Sequence, residues 1–140
     1  MAPHADQAAL DALVKDFFAA FTNTNGAAPN VRRIYDLAIP TAVIVKGAGP
    51  VPEIYSLSEF VEPRQELLCS GTLVDFEERE VSERTIVAGH VAQRHSSYRK
   101  TGTLDGRPFD TRGTKLFQFV RLPVGWRLSA LSWADEPETD

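Results

Sequence analysis

The stretch Thr114-Lys-Leu-Phe-Gln-Phe-Val-Arg-Leu-Pro-Val-Gly-Trp-Arg-Leu-Ser-Ala-Leu-Ser-Trp-Ala134 decides the fold. Apolar side chains recur at every second position on both sides of a turn at Val124-Gly125, which is the pattern of a β-hairpin. Facing Leu122 with Gly125 aligns Phe119 with Leu128 and Phe117 with Ala130. One face of the ribbon then carries Phe117, Phe119, Leu128 and Ala130, and the other Leu116, Val120, Leu131 and Trp133. Apolar residues on both faces predict that both are covered. Helices can cover one face and a second subunit the other.

Working back towards the N-terminus, strands fit residues 85–100 and 72–81, with Asp105-Gly106 supplying a tight turn. Before Gly71 the period changes. Leu10, Leu13, Val14, Phe17, Phe18 and Phe21 recur at helical spacing and predict an amphipathic helix over 6–22, with Asp6 as its N-cap. Turn formers fill 22–30. Asn30 is placed to cap a short helix over 31–37 that stops at Pro40. Thr41-Ala-Val-Ile-Val45 is β-branched and predicts the first strand, with Glu53-Ile-Tyr55 as a short partner. A third helix runs from an N-cap at Ser58 to Leu68, with Phe60, Val61, Arg64, Leu67 and Leu68 on one side. Pro63 predicts a kink or a later start. The result is an α+β domain, helices first and a mostly antiparallel sheet after.

The 140 residues are 43% hydrophobic and carry a net charge of −4. One globular domain with a proper core is expected, and no dedicated nucleic-acid binder. A single cysteine, Cys69, excludes an intramolecular disulfide and any multi-cysteine zinc site. No apolar run is long enough for a membrane span. Met1-Ala-Pro-His-Ala-Asp6 lacks the basic-then-apolar pattern of a signal peptide, so a cytoplasmic location is expected. Gly47-Ala-Gly49-Pro50 follows a strand but leads into prolines, so it is no nucleotide loop. No HExxH, GxSxG or metal-ligand cluster occurs, and no cofactor is expected. Charge is segregated: residues 59–83 hold eight acids against two arginines, and residues 94–127 eight bases against two aspartates. An acidic strand beside a basic one explains this, as would a basic groove for an acidic ligand.

Several segments resemble the NTF2-like superfamily, the cystatin-like α+β cone, and within it small bacterial proteins of the SnoaL-like or DUF4440 type. They are Tyr55-Ser-Leu-Ser-Glu-Phe-Val-Glu-Pro-Arg64, Phe76-Glu-Glu-Arg-Glu80, Gly113-Thr-Lys115 with Gln118-Phe-Val-Arg121, and Gly125-Trp-Arg127 with Leu131-Ser-Trp133. The resemblance spans about residues 6–136. It implies three helices packed on a strongly curved sheet, a conical pocket between them, and a homodimer through the outer sheet face. Members include ketosteroid isomerase, scytalone dehydratase, limonene-epoxide hydrolase and polyketide cyclases, and others only bind, so the fold does not choose an activity. The steroid-isomerase pattern is not met. Thr41-Ala-Val-Ile-Val45 has no carboxylate, and the first helix has Phe17, Phe18 and Phe21 where a tyrosine would stand.

Candidate chemistry centres on residues 75–98. His90 shares strand parity with Arg94 and Tyr98, whereas His95 points the other way, so the histidines form no joint metal site. A carboxylate beside His90 would make an acid–base pair; a structural histidine is the plainer reading. Glu53, Glu77 and Glu78 are alternative bases. Arg94 and Tyr98, about 13 Å apart along one strand face, can hold an anionic or oxygenated ligand, or be ion-paired and packed. Tyr35 is a candidate pocket lip. The expected function is binding of a small hydrophobic or carboxylate-bearing molecule, with cofactor-free isomerase, dehydratase or cyclase chemistry open. The rival is a non-catalytic dimeric association module with its cone filled by its own side chains.

Overall fold

The computed structural model describes residues 3–137; the C-terminal stretch Glu136-Pro-Glu-Thr-Asp140 reads in sequence as a frayed tail, and its residues 138–140 lie outside those described. Helix α1 (Pro3–Ala19) forms where the periodicity places it, and Leu10, Leu13, Val14, Phe17, Phe18 and Phe21 are all buried. Asp6 is not its N-cap. It lies in the first turn, where its buried Oδ1 accepts a 3.1 Å hydrogen bond from Trp126 Nε1 and sits 3.4 Å from the Arg121 guanidinium. A 3-10 turn (Val31–Arg33) runs into the short α2 (Ile34–Leu37), and Asn30 does not cap it by a side-chain bond. Gln65 does that work from another helix, its Oε1 accepting from Val31 N at 2.7 Å.

Strand β1 (Ala38–Lys46) starts before Pro40, which falls where the pairing slips between Ala38 and Val43 and no ladder donor is needed. Strand β2 (Glu53–Tyr55) folds back on it. Helix α3 (Leu57–Cys69) is capped by Ser56, not Ser58. Ser56 accepts from Glu59 N, and Glu59 reaches back to Ser56 N at 2.8 Å, a complete capping box. Pro63 is accommodated inside the helix.

Four long strands follow: β3 (Leu73–Ala88), β4 (Val91–Leu104), β5 (Arg107–Leu122) and β6 (Gly125–Asp135). The sheet order is β2-β1-β6-β5-β4-β3, with only β1 and β6 parallel. The β3–β4 turn is Gly89-His90 rather than a break between Val81 and Thr85, and Gly89 takes the left-handed φ of +59° that such a turn requires. Leu122 does face Gly125, and Phe119 faces Leu128, but Phe117 faces Leu131 instead of Ala130. Ser129 is an extra residue on β6, and the bulge reverses parity beyond it. Leu131 and Trp133 therefore join Phe117, Phe119 and Leu128 on the inner face, all buried under α1 and α3. Phe17, at the centre of this core, meets Phe117 edge-on at 5.4 Å. Further bulges in β3, near Asp75 and Val81, bend the sheet around the helices. The architecture is three helices on a curved, mostly antiparallel sheet, as expected.

Candidate functional site

Between the inner sheet face and α1 and α3 lies a cavity of about 680 Å³. Its apolar wall includes Phe17, Phe21, Phe60, Leu68, Phe76 and Trp133. Its polar lining comes from all of the long strands and α3: Glu78, Lys100, Lys115, Asp135 and Arg64. Alternation dictates why these charges point inward. Lys115 is two residues from Phe117 on β5, and Glu78 is opposite Lys100 in the β3–β4 ladder.

The charges form linked pairs. Lys115 Nζ lies 2.5 Å from Glu78 Oε1, with both side chains 7% exposed. Lys115 is the ion-pair partner of this buried carboxylate oxygen, which has no further hydrogen-bond donor among the described residues. The Lys115 ammonium also sits 4.0 Å from the centre of the Tyr98 ring, a cation–π contact. Tyr98 reaches across Gly113 to donate its hydroxyl hydrogen to Asp135 Oδ1, and Lys100 Nζ holds Asp135 Oδ2 at 2.9 Å. Burial pushes Lys115 below the ordinary lysine range against the pull of Glu78. Burial also pushes the Tyr98 phenol up, and Asp135 adds to that, so Tyr98 remains a neutral donor. At Asp135 burial acts to raise the carboxyl, but Tyr98 and Lys100 together hold it below its usual range. A fixed carboxylate, an ammonium and an apolar wall can take and return a proton on a bound molecule sheltered from water.

Of the residues expected at the site, Glu78 alone lines the cavity. His90 is in the exposed β3–β4 turn, not in a strand, and its carbonyl accepts from Arg121 N at 2.8 Å. It is not brought together with Arg94 and Tyr98. Arg94 is buried beneath α1, where Glu80 at 2.5 Å and Asp11 at 2.7 Å take its guanidinium. It is thus one of the ion pairs that the acidic and basic strands were expected to make. Tyr98 supports the site from behind, through Asp135 and Lys115. Tyr35 is exposed on α2 and donates to Glu62 Oε2 at 2.7 Å, away from the cone. Glu53 and Glu77 are exposed. Lys115, Lys100, Asp135 and Arg64 were missed, although Lys115 shares parity with Phe117 and Arg64 falls on the apolar side of its helix. Among the described residues no cluster of metal-ligating side chains occurs, and no helix is long and apolar enough to cross a membrane.

The chain matches no protein-family model and none of the curated proteins. Solved structures do match it in three dimensions. An NTF2-like superfamily protein from Salmonella enterica is 13% identical, with a TM-score of 0.78 over 99% of this chain and 96% of that one. A candidate aromatic ring hydroxylase from Novosphingobium aromaticivorans is 15% identical, with a TM-score of 0.77 over 99% and 94%. A candidate calcium/calmodulin-dependent protein kinase II association domain from Xanthomonas campestris is 17% identical, with a TM-score of 0.69 over 93% and 87%. Identities this low carry architecture and nothing finer, and with the helix order and strand order above they show that the chain has the NTF2-like fold.

Proposed function

We propose that the cone binds a small hydrophobic or carboxylate-bearing molecule and that Glu78, steered by Lys115, moves a proton on it without a cofactor. The observation that carries this is the placement of a buried carboxylate, paired with a buried ammonium, on the lining of a cavity of about 680 Å³ that has an apolar wall. That volume is in the range of ligand sites. A substrate with an acidic C–H next to a carbonyl would lose its proton to Glu78 Oε1, and the Lys115 ammonium would stabilise the developing enolate oxygen. Return of the proton to another carbon gives isomerisation; delivery of that proton to a β-hydroxyl as the C–O bond breaks releases water and gives dehydration. Tyr98 and Asp135 keep Lys115 and Lys100 in place. His90 is not part of this scheme. The protein would act as a homodimer through the outer sheet face.

The test is a thermal-shift screen of small ketones and keto acids, followed by proton NMR of the hits in D2O. Wild type should exchange the α-protons of a bound ketone, and Glu78→Gln should lose at least 100-fold in exchange rate while still binding. Equal exchange by the variant removes Glu78 from the chemistry. Stabilisation by no compound would favour the association-module reading, in which the sheet surface does the work.

A further inference from the structure

We infer that Arg64 is an acid-group clamp, and that the cone takes an organic carboxylate with an aromatic-sized apolar body. This rests on the cone being the ligand site, and it goes further by naming the ligand's charge and the residue that reads it.

The charge inventory of the cavity points to it. Five cations line the cavity, Lys46, Arg64, Lys100, Arg107 and Lys115, against two acids, Glu78 and Asp135. Both acids are taken: Glu78 by Lys115 at 2.5 Å, and Asp135 by Lys100 at 2.9 Å. Lys46 has Glu53 at 3.9 Å. Neither Arg107 nor Arg64 has a carboxylate of the described residues within ion-pair distance; Arg107 is exposed to water, whereas Arg64 is half-buried. One of its nitrogens, Nη1, donates to the Phe60 carbonyl at 3.1 Å, one helical turn back. Its guanidinium carbon sits 4.2 Å from the Phe60 ring centre, 5.3 Å from Tyr55 and 5.5 Å from Trp133. Burial accordingly lowers its pKa from the usual value, Tyr55 acting against it, but an arginine stays charged throughout the working range.

A guanidinium held by three aromatic faces is oriented but not neutralised. Its planar fork matches a carboxylate in two-point fashion. An acid group seated there would lay the rest of the molecule along Phe60 and Trp133. Trp133 is also 5.5 Å from the Lys115 ammonium, so the ligand body would run from Arg64 towards the Glu78–Lys115 pair. The apolar wall sets the body and Arg64 sets the charge.

The probes are 2-naphthoate and its neutral counterpart 2-naphthamide, which share one ring system, titrated calorimetrically into the full chain. Wild type should bind the acid at least 10-fold more tightly than the amide, and raising salt from 50 to 500 mM should weaken only the acid. Arg64→Met should bring the two within about twofold, with amide binding unchanged. Arg64→Lys, which keeps the charge but not the fork, should retain part of the preference. Arg112→Gln, on the outer sheet face, should retain all of it. Equal binding of acid and amide by wild type overturns the clamp while leaving the cone as the ligand site. Binding of neither probe counts against the cone itself, and the clamp falls with it. A preference that survives in Arg64→Met, or disappears in Arg112→Gln, places acid recognition elsewhere and overturns the proposal.

Discussion

Asn23 is the residue on which the helices and the sheet are joined. Its side-chain amide donates to the carbonyls of Leu68, at the end of α3, and Leu73, at the start of β3, at 2.9 and 2.8 Å. Its Oδ1 accepts from Phe76 N at 2.7 Å, and the Asn23 N–H donates to the Phe76 carbonyl at 3.1 Å. Asn23→Ala leaves three buried backbone groups without partners and should cost about 3 kcal/mol in urea unfolding. Asn23→Asp should fare no better, since a carboxylate cannot donate to two carbonyls. A loss under 1 kcal/mol for both would show that water replaces these bonds. The Glu78–Lys115 pair has the opposite logic, because a buried ion pair is replaceable as a pair and not singly. Lys115→Met alone should lose about 3 kcal/mol by stranding a buried carboxylate. Glu78→Leu with Lys115→Met should melt at or above wild type while losing the proton-transfer activity. A double variant as unstable as the single one would show that the pair holds the fold. In the sequence Asn23 reads as one more turn former, because its partners lie 45 to 53 residues away and no local pattern points to them.

At the scale of elements the decisive feature is a row across three strands, Tyr98 on β4, Gly113 on β5 and Asp135 on β6, in direct register. Tyr98 lies flat over Gly113, where a Cβ would collide with the tyrosine hydroxyl and with the Ala134 carbonyl. Gly113→Ala should therefore lose about 2–4 kcal/mol, typical of overpacking beside a broken buried hydrogen bond, and Tyr98→Phe in the same chain should recover little. The row also makes the acid limb of stability. The Asp135 carboxyl is depressed, so its contribution is complete above the unfolded value near 3.9 and is lost as pH falls through the lower folded value. The stability gap between wild type and Asp135→Asn should thus be constant from pH 7 to about 5 and shrink towards pH 2, measured by urea unfolding at each pH. A constant gap throughout would mean that Asp135 titrates as an ordinary aspartate. Legibility at this scale stopped at the bulges. Hydrophobic period located the helices and the β5–β6 hairpin, but it broke β3 after Val81 and ran the next strand, 85–100, across the Gly89-His90 turn; the Asp105-Gly106 turn formed as expected, with φ of +50° and +80°. Ser129 and Val81, each an extra residue within an otherwise regular strand, carry no composition signal, yet each exchanges the two faces beyond it. That is why Leu131 and Trp133 moved inside. With the β3–β4 turn displaced to Gly89-His90, it is also why Glu78 but not His90 reached the cone.

For the whole molecule, the bulge in β6 leaves the outer sheet face less apolar than a regular hairpin would make it, but not bare. Leu116 and Val43 remain 46% and 47% exposed there. Around them the paired positions are Gln93, Gln118, Ala130, His95 and Ser132. No Asp, Glu, Lys or Arg stands among these seven, so a second copy of the same face would meet no like-charge clash at its centre. The densest charge stands to one side, where Arg79, Arg99 and Arg112 lie directly opposite one another across β3, β4 and β5, while Arg84 lies opposite His95 and Arg127 opposite Val120 elsewhere on the same face. Among the described residues, only Arg99 of the three opposed arginines has a close carboxylate partner, Asp110 at 2.5 Å. Like charges in adjacent strands repel, and a two-fold axis parallel to the strands would bring two such rows together. An axis running across the strands sends the rows to opposite ends of the interface, and we propose that a homodimer of that orientation covers this face. Leu116→Glu buries two new carboxylates at the centre of such a contact and should convert a dimer into a monomer, read by light scattering after size exclusion. It should leave the melting temperature of the subunit and naphthoate binding within error, because Leu116 faces away from the cone. A wild type that is monomeric at 50 µM overturns the homodimer, and a Leu116→Glu variant that remains dimeric places the self-association surface on another part of the molecule.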